Sequence, residues 1–240
     1  MVQAPIRSEI LYPDSDGKPM AENTLQYRWI VRLVTNLKHL LREQVAFVAG
    51  DLLWYPVQVK TPPAPAQAPD AMVAFGRPPG DRGSYKQWEE DNIAPQVVFE
   101  ILSPSNTMKE MVAKQMFYEK YGVLEMYFYD PETYDFWGYT RETTEEGFIL
   151  VSPLHLPWTS PLLQIRFELF EDGLSLFYPD GESFKEPGEF ILEREQARLE
   201  RDQARLEREQ AREREEQTQQ KLERAMAKLQ ELGIDPNTLS

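Results

Sequence analysis

The hydrophobic pattern divides the chain into a mixed helix-and-strand region and a tail of different character. From about residue 23 to 43 apolar residues recur at spacings of three and four, which predicts an amphipathic helix. Apolar runs within 45–59 and 70–75 predict short strands. The Pro- and Ala-rich segment between them predicts a loop, because proline cannot continue a β ladder.

A strand, a helix and a second strand then follow one another. Branched residues in VVFEIL at 97–102 predict a buried strand. Helical spacing and a candidate capping box at Thr107 predict a helix over 107–121. A strand at 124–129 completes a crossover unit, so the two strands are predicted to be parallel neighbours. We therefore predict one α/β domain over residues 1–186, with a mixed β-sheet.

The tail, residues 187–240, carries a seven-residue repeat in a strongly charged sequence. One apolar column recurs at this period through Leu192, Leu199 and Leu206. The phase then shifts, and a denser apolar set follows at Leu222, Met226, Leu229 and Leu232. Stable coiled coils need two apolar positions per heptad, and the first stretch has one. The pattern predicts a charged, coiled-coil-like helix, and leaves open self-association, packing along a partner and a solvated single helix.

Composition narrows the class of protein. The chain is 41 % hydrophobic, enough for a core, and its net charge of −14 belongs mostly to residues 1–186. This balance disfavours tight, sequence-independent nucleic-acid binding by the monomer unless a basic patch or a metal offsets it. The absence of cysteine excludes thiolate chemistry and fits a reducing cytoplasm. With no apolar run of membrane-spanning length and no signal-peptide pattern, we expect a cytoplasmic protein.

A carboxylate interrupts the predicted buried strand. Glu100 shares one face of that strand with Val98 and Leu102, because strand side chains alternate with a period of two. A lone buried charge is costly, so Glu100 must be edge-exposed, paired, protonated or bound to metal. Asp70 opens an earlier strand, and if the two strands are neighbours the two carboxylates converge. Converging carboxylates either bind a divalent cation such as Mg²⁺ or divide acid and base roles.

The helix over 107–121 offers a cation for these carboxylates. At about 100° per residue, Lys114 falls between Tyr118 and Tyr121 on the apolar face of that helix. A lysine on a buried helix face is unusual. We therefore expect Lys114 to reach back to a carboxylate, either as a structural ion pair with Glu100 or as part of a site.

Four motifs, taken in order, resemble one bacterial family. They are PD at 69–70, VVFEILSPSN at 97–106, the pattern K…Y…YGV at 114–123 and YFYDP at 127–131. In this order and spacing they resemble the bacterial "putative restriction endonuclease" domain family, a branch of the PD-(D/E)XK nuclease superfamily. The resemblance covers roughly residues 12–180 and excludes the tail.

The resemblance implies a restriction endonuclease-like core, in which helices flank the mixed sheet, and Mg²⁺- or Mn²⁺-dependent phosphodiester hydrolysis. Asp70 and Glu100 match the acidic motif positions and would be catalytic metal ligands, with the backbone carbonyl of Ile101 completing the metal shell. The superfamily usually has a lysine two residues after the acid, where this chain has Leu102. Lys114 matches a helix-borne replacement, which would orient or activate water or stabilise the transition state.

Two further acids, Glu22 and Asp51, are weaker candidates to face the site. Glu22, at the start of the first helix, resembles an acid that some superfamily members add to their metal shell. The resemblance implies an endonuclease acting on nucleic acid, with DNA foremost, and we expect a homodimer. The alternative is a catalytically inactive, nuclease-derived interaction module that self-associates through its C-terminal helix. A two-carboxylate glycosidase would need a sugar cleft, and none is recognisable.

Overall fold

The computed structural model describes residues 11–17 and 19–231. The chain divides after Pro187 into two compact units. The helices of the described part are α1 Thr24–Leu40, α2 Met108–Tyr121 and α3 Pro187–Glu231. Leu232, which belongs to the apolar set predicted in the tail, lies outside the described residues. Among the described helices, none combines the length and the apolarity that crossing a membrane requires.

The strands of the described residues form three sheets. In chain order the strands are β1 Ala46–Ala49, β2 Trp54–Tyr55, β3 Ala71–Phe75, β4 Tyr85–Lys86, β5 Val97–Ile101, β6 Glu125–Tyr129, β7 Phe136–Thr140, β8 Ile149–Val151, β9 Trp158–Thr159, β10 Arg166–Phe170 and β11 Gly173–Phe177. The central sheet has the order β1-β3-β5-β6-β7-β8. Within it β5 and β6 are parallel and the other neighbours antiparallel, which confirms the predicted mixed sheet and parallel pair.

Two apolar cores cover the two faces of the central sheet. On one face the buried side chains of α1 meet alternate residues of β5, and the set includes Ile30, Leu33, Leu37, Val97, Phe99 and Ile101. On the other face α2 packs over the remaining positions, and the set includes Met111, Tyr118, Val98, Met126 and Phe128. The alternation of β5 between two cores confirms the α/β architecture with helices on both faces, and it leaves Glu100 on the α2 side.

Local signals fix both ends of α2. The Thr107 hydroxyl accepts from the Glu110 N–H at 3.3 Å, and the Glu110 carboxylate accepts from the Thr107 N–H at 2.9 Å. This is the predicted capping box. The helix ends at Gly122, whose φ of 102° is left-handed and is adopted by glycine without strain. Fixed ends determine which side chains of α2 face the sheet, including the one that meets Glu100.

Candidate active site

The register of two strands sets Asp70 beside Glu100. β3 and β5 are antiparallel, with Ala71 opposite Phe99. Continuing that register by one residue brings Asp70 opposite Glu100, and opposed residues of antiparallel strands project from the same face. Asp70 Oδ2 also accepts a hydrogen bond of 2.6 Å from the N–H of Ile101. The structure therefore brings together the two carboxylates that the motif match pairs.

The carboxylate of Glu100 is buried and held by α2. Glu100 is 2 % exposed. The Nζ of Lys114 donates to its Oε2 at 2.5 Å, and the hydroxyl of Tyr118 donates to its Oε1. Lys114 and Tyr118 are four residues apart and share one face of the helix. A charge in an otherwise apolar strand is thus compensated by one cation and one hydroxyl.

The electrostatics couple both carboxylates to Lys114. Burial raises the pKa of Asp70 well above its ordinary value, the Glu100 carboxylate adds to the rise, and Lys114 only partly opposes it. Burial alone would lower the pKa of Lys114, but Glu100 and Asp70 outweigh it, so the pKa is raised. Burial raises the pKa of Tyr118 well above its ordinary value. Lys114 is therefore a stable cation and Tyr118 a stable neutral donor, while two carboxylates share one lysine.

An acidic cleft of about 280 Å³ opens at Asp70. The ionisable groups of its described lining are carboxylates with a single ammonium: Asp16, Glu22, Asp51, Asp70, Glu110 and Lys114. Field lines concentrate in a cleft lined by one sign of charge, so this cleft attracts cations. An anionic nucleic-acid backbone enters it favourably only when cations offset the carboxylates.

Glu22 faces the cleft from outside the first helix. The helix begins at Thr24 with Asn23 as its N-cap, so Glu22 immediately precedes the cap at the start of the helix. Asn23 takes the cap position because its short side-chain oxygen can accept from the first turn. Glu22 instead accepts hydrogen bonds from the hydroxyls of Ser103, at 2.6 Å, and Ser105. The Ser-Pro loop after β5 therefore holds Glu22 at the rim.

Asp51 reaches the same cleft from a tight turn. Its φ is +48°, and its N–H donates to the Pro69 carbonyl at 3.0 Å. A Cβ at the preceding Gly50 would lie 3.0 Å from the Asp70 carbonyl oxygen, so glycine permits this close approach. Burial raises the pKa of Asp51. The turn thus brings a third carboxylate near the pair, and its role stays a prediction.

Gln26 lines the same cleft, although the sequence pattern did not predict it there. Its Nε2 donates to the Ile101 carbonyl at 2.8 Å, and its Oε1 accepts from the Glu22 N–H at 2.9 Å. Gln26 is buried and lines the cleft. It lies four residues before Ile30 on the buried face of α1, and a polar residue on an apolar stripe is the signal that could have found it. Gln26 orients the carbonyl that the motif match assigns to the metal shell.

The position where the superfamily usually carries its lysine is apolar here. Leu102 packs against the core beneath α2, and its N–H continues the bonding to β6 by donating to Tyr129 O at 2.8 Å. Lys114 reaches Glu100 from the helix instead. The lysine that contacts the motif acid Glu100 therefore comes from α2 and not from β5. That Lys114 replaces the usual motif lysine in catalysis stays a prediction.

The oxygen atoms of the site suit a hard divalent cation. Asp70 uses Oδ2 for Ile101, and within the described residues its Oδ1 makes no hydrogen bond. Mg²⁺ binds proteins through one or two carboxylates and keeps several waters, and the donor set that the resemblance implies, Asp70, Glu100 and the Ile101 carbonyl, is of this type. Both Glu100 oxygens already accept hydrogen bonds, from Lys114 and Tyr118. The described ranges contain no group of three or more His, Cys, Asp or Glu able to hold a metal. This donor set therefore offers two carboxylates rather than a full cage.

The chain belongs to the Uma2 family. The model of this family, described as "Putative restriction endonuclease", matches residues 15–170. This confirms the resemblance on which the site assignment was based, and it points to nuclease activity with nucleic acid as the substrate class. A solved structure described as a putative nuclease of DUF820 from Anabaena variabilis ATCC 29413 is similar over 62 % of this chain and 81 % of its own, with 16 % identity and a TM-score of 0.44. No curated protein matches.

Proposed function

We propose that the chain is a metal-dependent endonuclease that hydrolyses phosphodiester bonds, with DNA as the foremost substrate. One observation carries the proposal: in a member of a nuclease family, Asp70 and Lys114 line one acidic cleft, and Lys114 bonds the buried Glu100 beside it. Asp70, Glu100 and the Ile101 carbonyl would hold Mg²⁺ or Mn²⁺. When bound there, such a cation supplies Lewis-acid polarisation of the phosphate and a water of lowered pKa.

The remaining contacts preorganise these ligands. Gln26 holds the Ile101 carbonyl at 2.8 Å, so that oxygen stays aimed without rearrangement. Tyr118 and Lys114 hold the two oxygens of Glu100. Partners that fix a ligand's orientation are as important to a metal site as the ligands themselves. We therefore assign Gln26 and Tyr118 as positioning residues.

The raised pKa of Lys114 narrows its role. In the absence of metal, Glu100 and Asp70 raise the pKa of Lys114, so the lysine is protonated at neutral pH in that state. Its ammonium can donate hydrogen bonds to the attacking water or to phosphate oxygens, and it stabilises the negative charge that grows in the transition state. We therefore assign Lys114 to orientation of the water and stabilisation of charge.

The first test replaces one charge without changing shape. Asp70→Asn keeps an oxygen that can accept from Ile101, so the strand pairing should survive. Wild type should nick supercoiled plasmid in Mg²⁺ and stop when EDTA is added, and Asp70→Asn should lose at least about 100-fold in rate. Single-stranded DNA and RNA of the same sequence establish the substrate preference. Wild-type cleavage that persists in EDTA, or equal rates for the two proteins, contradicts the proposal.

The second test uses two lysines of the same helix. Lys114→Met removes the ammonium that meets Glu100, whereas Lys109→Met removes an exposed one near the helix start. The first change should reduce the cleavage rate by roughly 100-fold at saturating Mg²⁺, and the second by less than about 3-fold. Similar losses in both variants would show a general charge effect instead of a site-specific role.

The inactive interaction module remains the second candidate function. The observation in its favour is that both Glu100 oxygens are already bonded within the protein, as in a structural ion pair. Calorimetry with Mg²⁺ or Mn²⁺ alone separates the two candidates. Saturable binding that disappears in Asp70→Asn supports the enzyme, and an absence of binding together with an absence of cleavage supports the module.

A further inference from the structure

Helix α3 presents a regular leucine column to solvent. Leu192, Leu199 and Leu206 are 66 %, 65 % and 54 % exposed. Seven-residue spacing drifts by only about 20° per heptad around a straight helix, so three leucines remain on one stripe. Exposed leucines at a fixed period form a narrow apolar stripe that another helix can cover. We call this stripe and its flanks, residues 192–209, the leucine seam.

Acidic residues border both sides of the leucine seam. With leucine at the d position of each heptad, the a positions are glutamine at Gln196 and Gln203. The flanking e positions are Glu193, Glu200 and Glu207, and the flanking g positions are Glu195, Asp202 and Glu209. The arginines fall at c and f, away from the stripe. Every residue that would face a second helix from the edge of the seam is therefore an acid.

Contacts within the helix do not cancel these edge charges. Arg198 lies 3.9 Å from Asp202 and Arg205 lies 4.0 Å from Glu209, and these pairs are solvent-exposed. The basic residue precedes the acidic one, which is the weaker order for pairs four residues apart. Exposed pairs at such distances contribute little. Glu200 and Glu207 accept hydrogen bonds from the neutral amides of Gln196 and Gln203, so their negative charge is not cancelled either.

The edge charges decide which occupant suits the seam. In a parallel dimer of this segment, g residues face e residues of the second copy; in an antiparallel dimer, like faces like. Both arrangements bring acid against acid. Nucleic acid is repelled for the same reason. We propose that the leucine seam binds an amphipathic helix of another protein, with an apolar stripe flanked by Lys or Arg. A homodimer of the chain would then use a different surface.

The test uses the full chain and two synthetic helices. Each probe peptide has three heptads with leucine at d, and carries either lysine or glutamate at every e and g position. By fluorescence anisotropy at low salt, the lysine peptide should bind at least about tenfold more tightly than the glutamate peptide, and about 0.5 M NaCl should remove most of the difference. Leu199→Ser should abolish the binding, while Leu222→Ser, outside the seam, should not.

A charge reversal tests the argument against self-association. Glu200→Lys with Glu207→Lys puts bases at e opposite acids at g, which should create a dimer that sedimentation detects. Ala204→Lys with Ala211→Lys adds two lysines at b positions and should leave the mass unchanged. Circular dichroism checks that helix content is equal. Wild-type dimerisation that Leu199→Ser abolishes would make a second copy the occupant, and failure of both peptides to bind would leave a solvated spacer; either result overturns the proposal.

Discussion

Two glutamates are buried on neighbouring parallel strands, and their surroundings differ in kind. Glu100 on β5 is 2 % exposed and Glu125 on β6 is 1 % exposed. Glu100 meets a lysine and a tyrosine beneath α2 and adjoins Asp70 at the cleft. Glu125 accepts from the hydroxyls of Ser160 and Tyr127 and from the N–H of Leu162 at 2.7 Å. The buried carboxylate of Glu100 is compensated by the positive charge of Lys114, and that of Glu125 by hydrogen bonds from neutral groups.

The comparison shows that burial of a carboxylate does not by itself mark a site. Glu125 ties β6 to the segment that begins at Ser160, and its neutral donors satisfy it. Burial raises its pKa, and the hydrogen bonds only partly oppose the rise. Glu100 keeps a cation and a second carboxylate beside an open cleft. A metal or substrate in the cleft can therefore change the charges around Glu100, whereas the contacts of Glu125 within the described residues are neutral donors.

The largest expected effect separates the two glutamates by activity. Glu100→Gln and Glu125→Gln remove the same charge from adjacent strands. We expect the Mg²⁺-dependent plasmid cleavage rate to fall at least about 100-fold in Glu100→Gln, because Glu100, the proposed metal ligand and the partner of Lys114, loses its charge. Glu125→Gln should retain its rate within about 3-fold. Equal losses in both variants would mean that the effect arises from folding rather than from the site.

The next largest effect is the loss of stability that we expect when Glu125 is truncated. Glu125→Ala removes the acceptor of three donors inside the fold and leaves a cavity. Each buried donor left unsatisfied costs about 1–3 kcal/mol, so we expect a loss of roughly 3 kcal/mol or more in the free energy of unfolding. Urea unfolding of the full chain measures it. Ser160→Ala removes one donor to Glu125 and the acceptor of the Leu163 N–H, and it should cost less than the loss of the carboxylate. A larger loss would contradict this account.

Local signals let the sequence predict much of the fold. The capping box at Thr107 and the glycine at Gly122 place α2, and branched residues at 97–101 place β5. Period-two alternation predicts that Glu100 lies on the α2 face, and helical spacing predicts that Lys114 points towards it. Each of these inferences needs only neighbouring residues, so each is within reach of the sequence.

Contacts between distant segments were harder to predict. Gln26 meets the Ile101 carbonyl across 75 residues, and Glu22 is bound by serines more than eighty residues away. The local sequence around Gln26 does not indicate which backbone carbonyl its side chain will hydrogen-bond. Hydrogen-bond partners that tertiary packing brings together therefore cannot be predicted from the local sequence, whereas Glu100 and Lys114 can.

The lysine of the pair gives the next stability prediction. Lys114→Met leaves Glu100 and Asp70 without their cation, while the methionine stem preserves packing along α2. Loss of one partner from a fully buried pair costs about 3–5 kcal/mol, and the 23 % exposure of Lys114 reduces our expectation to roughly 2 kcal/mol. Adding Glu100→Gln to Lys114→Met should recover part of the loss, because the unpaired charge is then gone. A double variant less stable than Lys114→Met would contradict the pairing argument.

The smallest expected effect is the contribution of Glu125 to the pH dependence of the free energy of unfolding. Burial raises its pKa above the ordinary 4.5, so between 4.5 and the raised value the folded protein holds a proton that the unfolded chain has lost. Stability from this group is therefore lost as pH rises through that window. Burial also raises the pKa of Tyr127 well above its ordinary value, so this neighbour stays neutral there.

Glu125→Gln removes that titration and keeps the acceptor oxygen. Urea unfolding at a series of pH values should show that the stability of Glu125→Gln relative to wild type increases as pH rises above about 4.5. Asp70 and Asp51 also have raised pKa values, but both proteins contain them, so their contribution cancels in the difference. Mg²⁺ should leave this difference unchanged, because Glu125 lies outside the proposed metal site. A stability difference that does not change with pH, or one that Mg²⁺ alters, would contradict the assignment of Glu125 to a structural role separate from the site of Glu100.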